Sequence, residues 1–223
     1  MSVPVITVDG PSASGKGSVA RRLAEALGFH YLESGALYRL VALASLQAGI
    51  RADDESHLES IARNLEARFL GGRIMLNNQD ITDALYTEEC GTRASQVAGL
   101  PRVRGALLAR QRDFRRPPGL VADGRDMGTV VFPDAALKVF LTATPAVRAR
   151  RRYNQLKEKG IDATLQALSR ELQARDARDA ARAVAPLAAA TDAVQLDSSE
   201  LSLEEVVSRI LGWWRERGER ERT

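Results

Sequence analysis

Between positions 10 and 18 the chain reads Gly10-Pro11-Ser12-Ala13-Ser14-Gly15-Lys16-Gly17-Ser18, residue types and spacing suited to gripping phosphate. Glycine lets the backbone curl until successive N–H groups converge on an anion. A helix N-terminus behind the turn adds partial positive charge, and Lys16 adds a full one. The run begins where the apolar stretch 3–8 ends, and a helical pattern follows over 18–27. Strand, glycine-rich turn and helix therefore come in the order that a phosphate-binding loop requires. A nucleoside triphosphate is the ligand implied, its phosphates held by these nine residues. Ser18 adds a hydroxyl suited to a Mg²⁺ ion shared with the phosphates. The alternative is a plain strand-to-helix turn.

Three more groups of residues could do chemistry. Ser34, Tyr38 and Arg39 follow a short strand-like segment and open a helical pattern, placing a hydroxyl, a phenol and a guanidinium at one strand end. Ligands of open parallel sheets bind outside such ends. The competing reading is a helix capped by Ser34 with Tyr38 packed beneath it. Asp123, Arg125 and Asp126 directly follow Leu120-Val121-Ala122. An aspartate at the end of a buried strand beside a phosphate loop orders Mg²⁺ or its waters; Asp123 could equally pair with Arg125. Arg175, Arg178 and Arg182 recur at i, i+3 and i+7, which predicts one face of one helix. Asp176 and Asp179 are interleaved, so a salt-bridged solvent face is open too. Against it, three guanidiniums on one stripe repel unless an anion lies between them.

The elements that must carry these groups alternate. Segments 3–8, 29–33, 119–123, 136–141 and 193–197 read as strands, and helical patterns separate them. That rhythm predicts an α/β fold, a parallel sheet with helices on both faces. Residues 61–90 break it: 65–70, Gly71-Gly72 and 73–76 read as a β-hairpin, taken as part of a small inserted lobe over about 61–95. Helix is predicted over 101–116, 144–160 and 162–184, the last stopped by Pro186. The 144–182 stretch, with Arg148, Arg150, Arg151 and Arg152, reads as a helical lid over the donor nucleotide. An amphipathic helix follows Ser202, with the charged tail 215–223 expected to fray. One P-loop domain with lobe and lid would account for 1–223.

Composition narrows the possibilities. One cysteine, Cys90, excludes a disulfide framework and fits a reducing cytoplasm. Two distant histidines, His30 and His57, argue against a transition-metal site. No apolar run approaches a membrane span. The net charge of +3 comes from 28 Arg and 4 Lys against 29 acidic residues, without a basic stripe studded with aromatics. Nucleic acid is therefore not the expected partner. The phosphates that these arginines meet would be those of mononucleotides, and a monomer is expected.

Gly17 separates Lys16 from Ser18, and this Gly-Lys-Gly-Ser ending resembles the loop of nucleoside monophosphate kinases more than that of GTPases. The chain contains no Asn-Lys dipeptide, so the guanine-reading motif of GTPases is missing. Ser34-Gly35-Ala36-Leu37-Tyr38-Arg39, Ala122-Asp123-Gly124-Arg125-Asp126-Met127-Gly128 and Arg178-Asp179-Ala180-Ala181-Arg182 resemble signature segments of the bacterial cytidylate kinase family. The similarity runs through nearly the whole chain. One local departure is Ala13-Ser14, where the family usually has a glycine and a small residue.

The resemblance implies that Arg39 and Arg125 contact the acceptor phosphate and that Asp126 reads the base. It further gives Arg104, with Ser95 nearby, to the base, Arg175 and Arg182 to the phosphates, and Asp179 to the acceptor sugar. The base assignment is chemically coherent. Cytosine offers an amine donor beside N3 and O2 acceptors, so a carboxylate and a guanidinium match it. Uracil reverses two of those groups, and a site built on such bonds rejects it on the order of 10³-fold or more. On sequence alone, Arg104 could instead lie on a solvated helix face. The expected activity is transfer of the γ-phosphoryl of ATP to CMP or dCMP, with Mg²⁺. Rivals are the same fold acting on UMP, AMP, shikimate or dephospho-coenzyme A, or a nucleotide-dependent RNA-binding regulator.

Overall fold

Segments whose apolar residues fall on both faces, rather than on one, must be buried on both sides, and such segments form the centre of the main sheet. The computed structural model describes residues 3–70, 73–158 and 160–220. The chain opens with β1 (Val5–Asp9), α1 (Lys16–Leu27), β2 (His30–Glu33) and α2 (Ser34–Gln47). Then come α3 (Glu55–Arg63), β3 (Ala67–Leu70), β4 (Arg73–Leu76), β5 (Gln79–Asp80), α4 (Thr82–Leu85), α5 (Glu88–Val97) and α6 (Pro101–Arg112). β6 (Leu120–Gly124), a π-helical turn (Met127–Val131), β7 (Leu137–Thr142), α7 (Pro145–Glu158), α8 (Leu165–Ala180), β8 (Val194–Asp197) and α9 (Leu203–Arg220) complete it. Two compact units divide these elements. The first holds the chain up to Leu32, from Phe114 to Ala181 and from Ala185 onward; the second holds Glu33–Asp113 and Arg182–Val184.

In the first unit the sheet order is β2-β6-β1-β7-β8. β1 is parallel to β6 and to β7, and β7 is parallel to β8. Every residue of β1 and β6 is buried, with Thr7, Asp9 and Asp123 among them. α1 sets Val19, Ala20, Leu23 and Ala24 against Ile6, Val8, Val121 and Leu141. It stops at Gly28, whose φ of 64° is the left-handed conformation that closes a helix. α9 adds Val206 and Ile210 to this core, and Trp214 meets Phe29 edge-on at 5.9 Å. The charged tail is helical as far as Arg220, where α9 ends, and residues 221–223 lie outside the described residues. A reason lies in Arg217, whose guanidinium donates to the Ala136 carbonyl and ties the last turns to the loop before β7.

In the second unit α2 is buried along most of its length and packs on α5, while α3 packs on α6. The hairpin arms expected at 65–76 are β3 and β4, paired antiparallel from Ala67↔Leu76 to Leu70↔Arg73; the two-glycine turn lies outside the described residues. A further strand, β5, pairs with β4 across a two-residue turn, Asn77-Asn78, at φ 50° and 66°. Asparagine tolerates that conformation, which a tight hairpin needs. The stretch 61–95 lies inside this unit, which also takes in α2, α3 and α6.

One expectation is corrected. The helix predicted over 162–184 is α8, which ends at Ala180, so Arg182 does not share a helical face with Arg175 and Arg178. The Leu187 N–H donates to the Asp179 carbonyl at 2.9 Å, and Ala185 sits at φ 53°, so the chain folds back before Pro186. Arg182 falls in the second unit.

Candidate active site

The phosphate-binding loop grows out of the end of β1. A Cβ on Gly10 would lie 2.1 Å from the Leu141 carbonyl oxygen, so only glycine fits there. Ala13 at φ 59° and Gly15 at φ 93° turn the intervening peptides over. For Ala13, the family departure noted above, that conformation costs about 1–2 kcal/mol. α1 starts at Lys16 with Gly15 as its N-cap and no side chain covering the cap. Its first N–H groups and positive dipole end are the anion-binding feature of such loops. Lys16 is half-buried and curls back to donate from Nζ to the Pro11 carbonyl at 3.2 Å. Its pKa is pushed down to about 7, first by burial and then by the charge of Arg125, against the opposing pull of Asp123. A cation in this position is short of an anion.

Asp123, at the end of β6, is buried, and its Oδ2 accepts from the Tyr31 hydroxyl at 3.4 Å. A Cβ on Gly17 would stand 3.1 Å from that same Oδ2. The glycine between Lys16 and Ser18 is thus what lets this carboxylate sit against the loop. Arg125 donates from Nε to Asp179 Oδ2 at 2.9 Å and from Nη2 to Ser12 Oγ at 2.8 Å. Loop, strand β6 and helix α8 are thereby joined through one guanidinium. Asp126 and Asp179 are buried, Arg175 is half-buried, and Arg178 faces solvent.

Asp9 escapes the sequence reading. It closes β1, and its carboxylate accepts the Met127 N–H at 2.9 Å and the Gly128 N–H at 2.8 Å. The residues directly after Asp126 are thereby pinned to the strand that feeds the loop. Burial pushes the pKa of Asp9 up to about 6, against the two backbone hydrogen bonds. A carboxylate ending an apolar strand one residue before the loop glycine was the available signal.

The second unit carries the other predicted residues. Ser34 is the first residue of α2, with Glu33 at the cap position, so the reading of Ser34 as a cap is set aside. Tyr38 is buried beneath the guanidinium of Arg104, 5.7 Å from its ring centroid. Arg104 itself is only 7% exposed and donates to the Ala98 carbonyl at 3.2 Å, which excludes a solvated helix face. Arg39 donates to the Leu85 carbonyl at 2.8 Å and lies over Tyr86 at 5.5 Å. Gly91 gives it room, since a Cβ there would come within 3.0 Å of its Nη2. Ser95 is buried on α5.

Comparison with known proteins identifies the family. A family model described as cytidylate kinase matches residues 6–216. A cytidylate kinase of Nitrosococcus oceani is 55% identical over 217 residues, 95% of this chain and 96% of that one. Its counterpart in Ralstonia pickettii is 57% identical over 216 residues, covering 97% and 94% of the two chains. That of Azotobacter vinelandii is 58% identical over 213 residues, 93% of each. With a phosphate loop closing on a half-buried lysine and a match that runs from β1 into α9, this chain belongs to the cytidylate kinase family.

Proposed function

We propose that this protein transfers the γ-phosphoryl group of ATP to CMP or dCMP, giving ADP and CDP or dCDP. The observation that carries the reading is Lys16, a cation short of an anion at the mouth of a phosphate loop in a cytidylate kinase chain. A phosphate oxygen of CMP attacks Pγ, the bond from Pγ to the bridging oxygen of the β-phosphate breaks, and that oxygen leaves with ADP. The nucleophile is already anionic, so no general base is required.

The residues' work is positioning and charge screening. The backbone of 10–18 and Lys16 hold the donor phosphates. Arg125, Arg175, Arg182 and Arg39 take the acceptor phosphate and the charge of the transferring group. Asp126 accepts the cytosine amine, Arg104 donates to N3 and O2, and Ser34, Tyr38 and Ser95 line the acceptor. Asp179 takes the sugar hydroxyls. Among the described residues no group of three or more His, Cys, Asp or Glu gathers around a metal. Asp123 and Ser18 fit a Mg²⁺ ion that keeps its waters and phosphate ligands, since both offer hard oxygen donors near the loop. When bound, that ion supplies charge neutralisation on the phosphates. Among the described residues no helix is long and apolar enough to cross a membrane, and Cys90 is buried as a free thiol. The reading places the enzyme in the reducing cytoplasm, as a monomer.

The test is label transfer. With ATP labelled at the γ-phosphorus, Mg²⁺ and CMP, the label is expected in CDP. Label released as inorganic phosphate, with or without CMP, would overturn the reading.

A further inference from the structure

Four arginines of α7 were candidates for contacts with the donor nucleotide, and the structure separates two of them. A phosphate loop presents N–H groups inward only if the alternate carbonyls find partners on its outer side. Here those partners come from one helix. Arg148 Nη1 donates to the Ser12 carbonyl at 3.2 Å, and Arg151 Nη1 donates to the Ser14 carbonyl at 2.9 Å. The two arginines are three residues apart on α7, about 4.5 Å of helical rise. The two carbonyls are two residues apart in a loop flipped at Ala13 and Gly15. The spacings match.

Both guanidiniums are also held from behind. Arg148 is buried, donates from Nε to the Ala143 carbonyl at 3.1 Å, and is paired with Asp176 Oδ2. Asp176 Oδ1 in turn accepts the Ser12 N–H at 3.2 Å. Arg151 donates from Nη1 to Ser198 Oγ at 3.0 Å and from Nη2 to the Ser198 carbonyl at 2.6 Å. Ser198 Oγ lies 2.9 Å from the Thr142 carbonyl and 3.3 Å from that of Ser14, with one proton for the two. Only a planar, multiply donating group can meet such a set of acceptors, so lysine is no substitute.

We propose that Arg148 and Arg151 are positioning residues: they brace the outer carbonyls of the phosphate loop and so hold its amides in the anion-binding conformation. The proposal rests on the reading of residues 10–18 as the triphosphate site. It assigns to these two side chains a role through the loop, not a contact with ATP.

Arg151→Lys and Ser198→Ala test it, because the first keeps the positive charge and the second removes none. Backbone amide exchange over residues 12–16 is measured in the unliganded proteins, and tripolyphosphate, then ATP, is titrated without metal. Both variants are expected to exchange faster over 12–16 and to bind tripolyphosphate roughly tenfold more weakly. The double variant should lose less than the product of the two, since both changes break one network. KM for CMP should stay within about twofold of the wild type. Unchanged binding in Ser198→Ala with a loss confined to Arg151→Lys would mean direct contact with the ligand and overturn the proposal. Wild-type exchange and binding in both variants would overturn it too, whatever their melting temperatures. Failure of the wild-type protein to bind tripolyphosphate or ATP would instead remove the triphosphate reading, and the exchange measurement would still decide the brace.

Discussion

At the scale of single residues, Lys16 is the most informative group. Its pKa near 7 reflects burial and neighbouring arginines, and a bound triphosphate reverses that balance in favour of the charged form. The free protein thus disfavours the charged form of Lys16, so ATP binding at mildly alkaline pH should draw in a proton. Calorimetry in buffers of different ionisation enthalpy reads that uptake, and Lys16→Ala should abolish it while lowering kcat on the order of 10²–10³-fold. Equal proton uptake in the two proteins would refute the role given to Lys16. If Asp126 accepts the cytosine amine as proposed, Asp126→Ala removes that acceptor and leaves the other proposed contacts in place. KM for CMP should rise and the preference for CMP over UMP should fall by roughly tenfold or more. An unaltered preference would move base recognition elsewhere. Asp9 acts on that same segment through the backbone. Asp9→Asn leaves one of the two N–H groups of Met127 and Gly128 facing a donor, so KM for CMP should rise more than KM for ATP, an asymmetry that initial-rate kinetics reads.

At the scale of elements, the loop and α1 show how packing and chemistry compete at one glycine. Gly17 lies in the first turn of α1, where alanine would favour the helix by up to about 1 kcal/mol. Its Cβ would meet Asp123 Oδ2 at 3.1 Å and force that carboxylate aside. Gly17→Ala should therefore lose about tenfold in kcat while its circular dichroism stays that of the wild type; full activity would show that the position of Asp123 is not critical. The strands of the main sheet were legible because a strand buried on both faces carries apolar residues on both, and β1, β6 and β7 do, even with Thr7 and Lys138 among them. Arg182 was misplaced because i, i+3, i+7 spacing cannot see the fold-back at Leu187 that ends α8 at Ala180. The π-helical turn was hidden for a related reason. Met127–Val131 has no helical period of its own and is held by Asp9, which lies more than a hundred residues away in the chain.

At the scale of the whole molecule, the site residues were legible as types but their partners were not. Arg104 reads equally as a surface arginine until its burial over Tyr38 is seen. The α7 arginines read as one group until Arg148 and Arg151 are found spent on loop carbonyls. The arginine excess, 28 against 4 lysines, is in part a supply of planar forks for such duties. The central claim is that this chain phosphorylates cytosine nucleotides, and one experiment addresses it directly. ADP release is followed with ATP, Mg²⁺ and a panel of CMP, dCMP, UMP, AMP, GMP and shikimate, and kcat/KM is compared across the acceptors. Strong turnover of CMP and dCMP, with the others lower by on the order of 10³-fold, is the expected result. Preference for another acceptor, or no turnover across the panel, would contradict it.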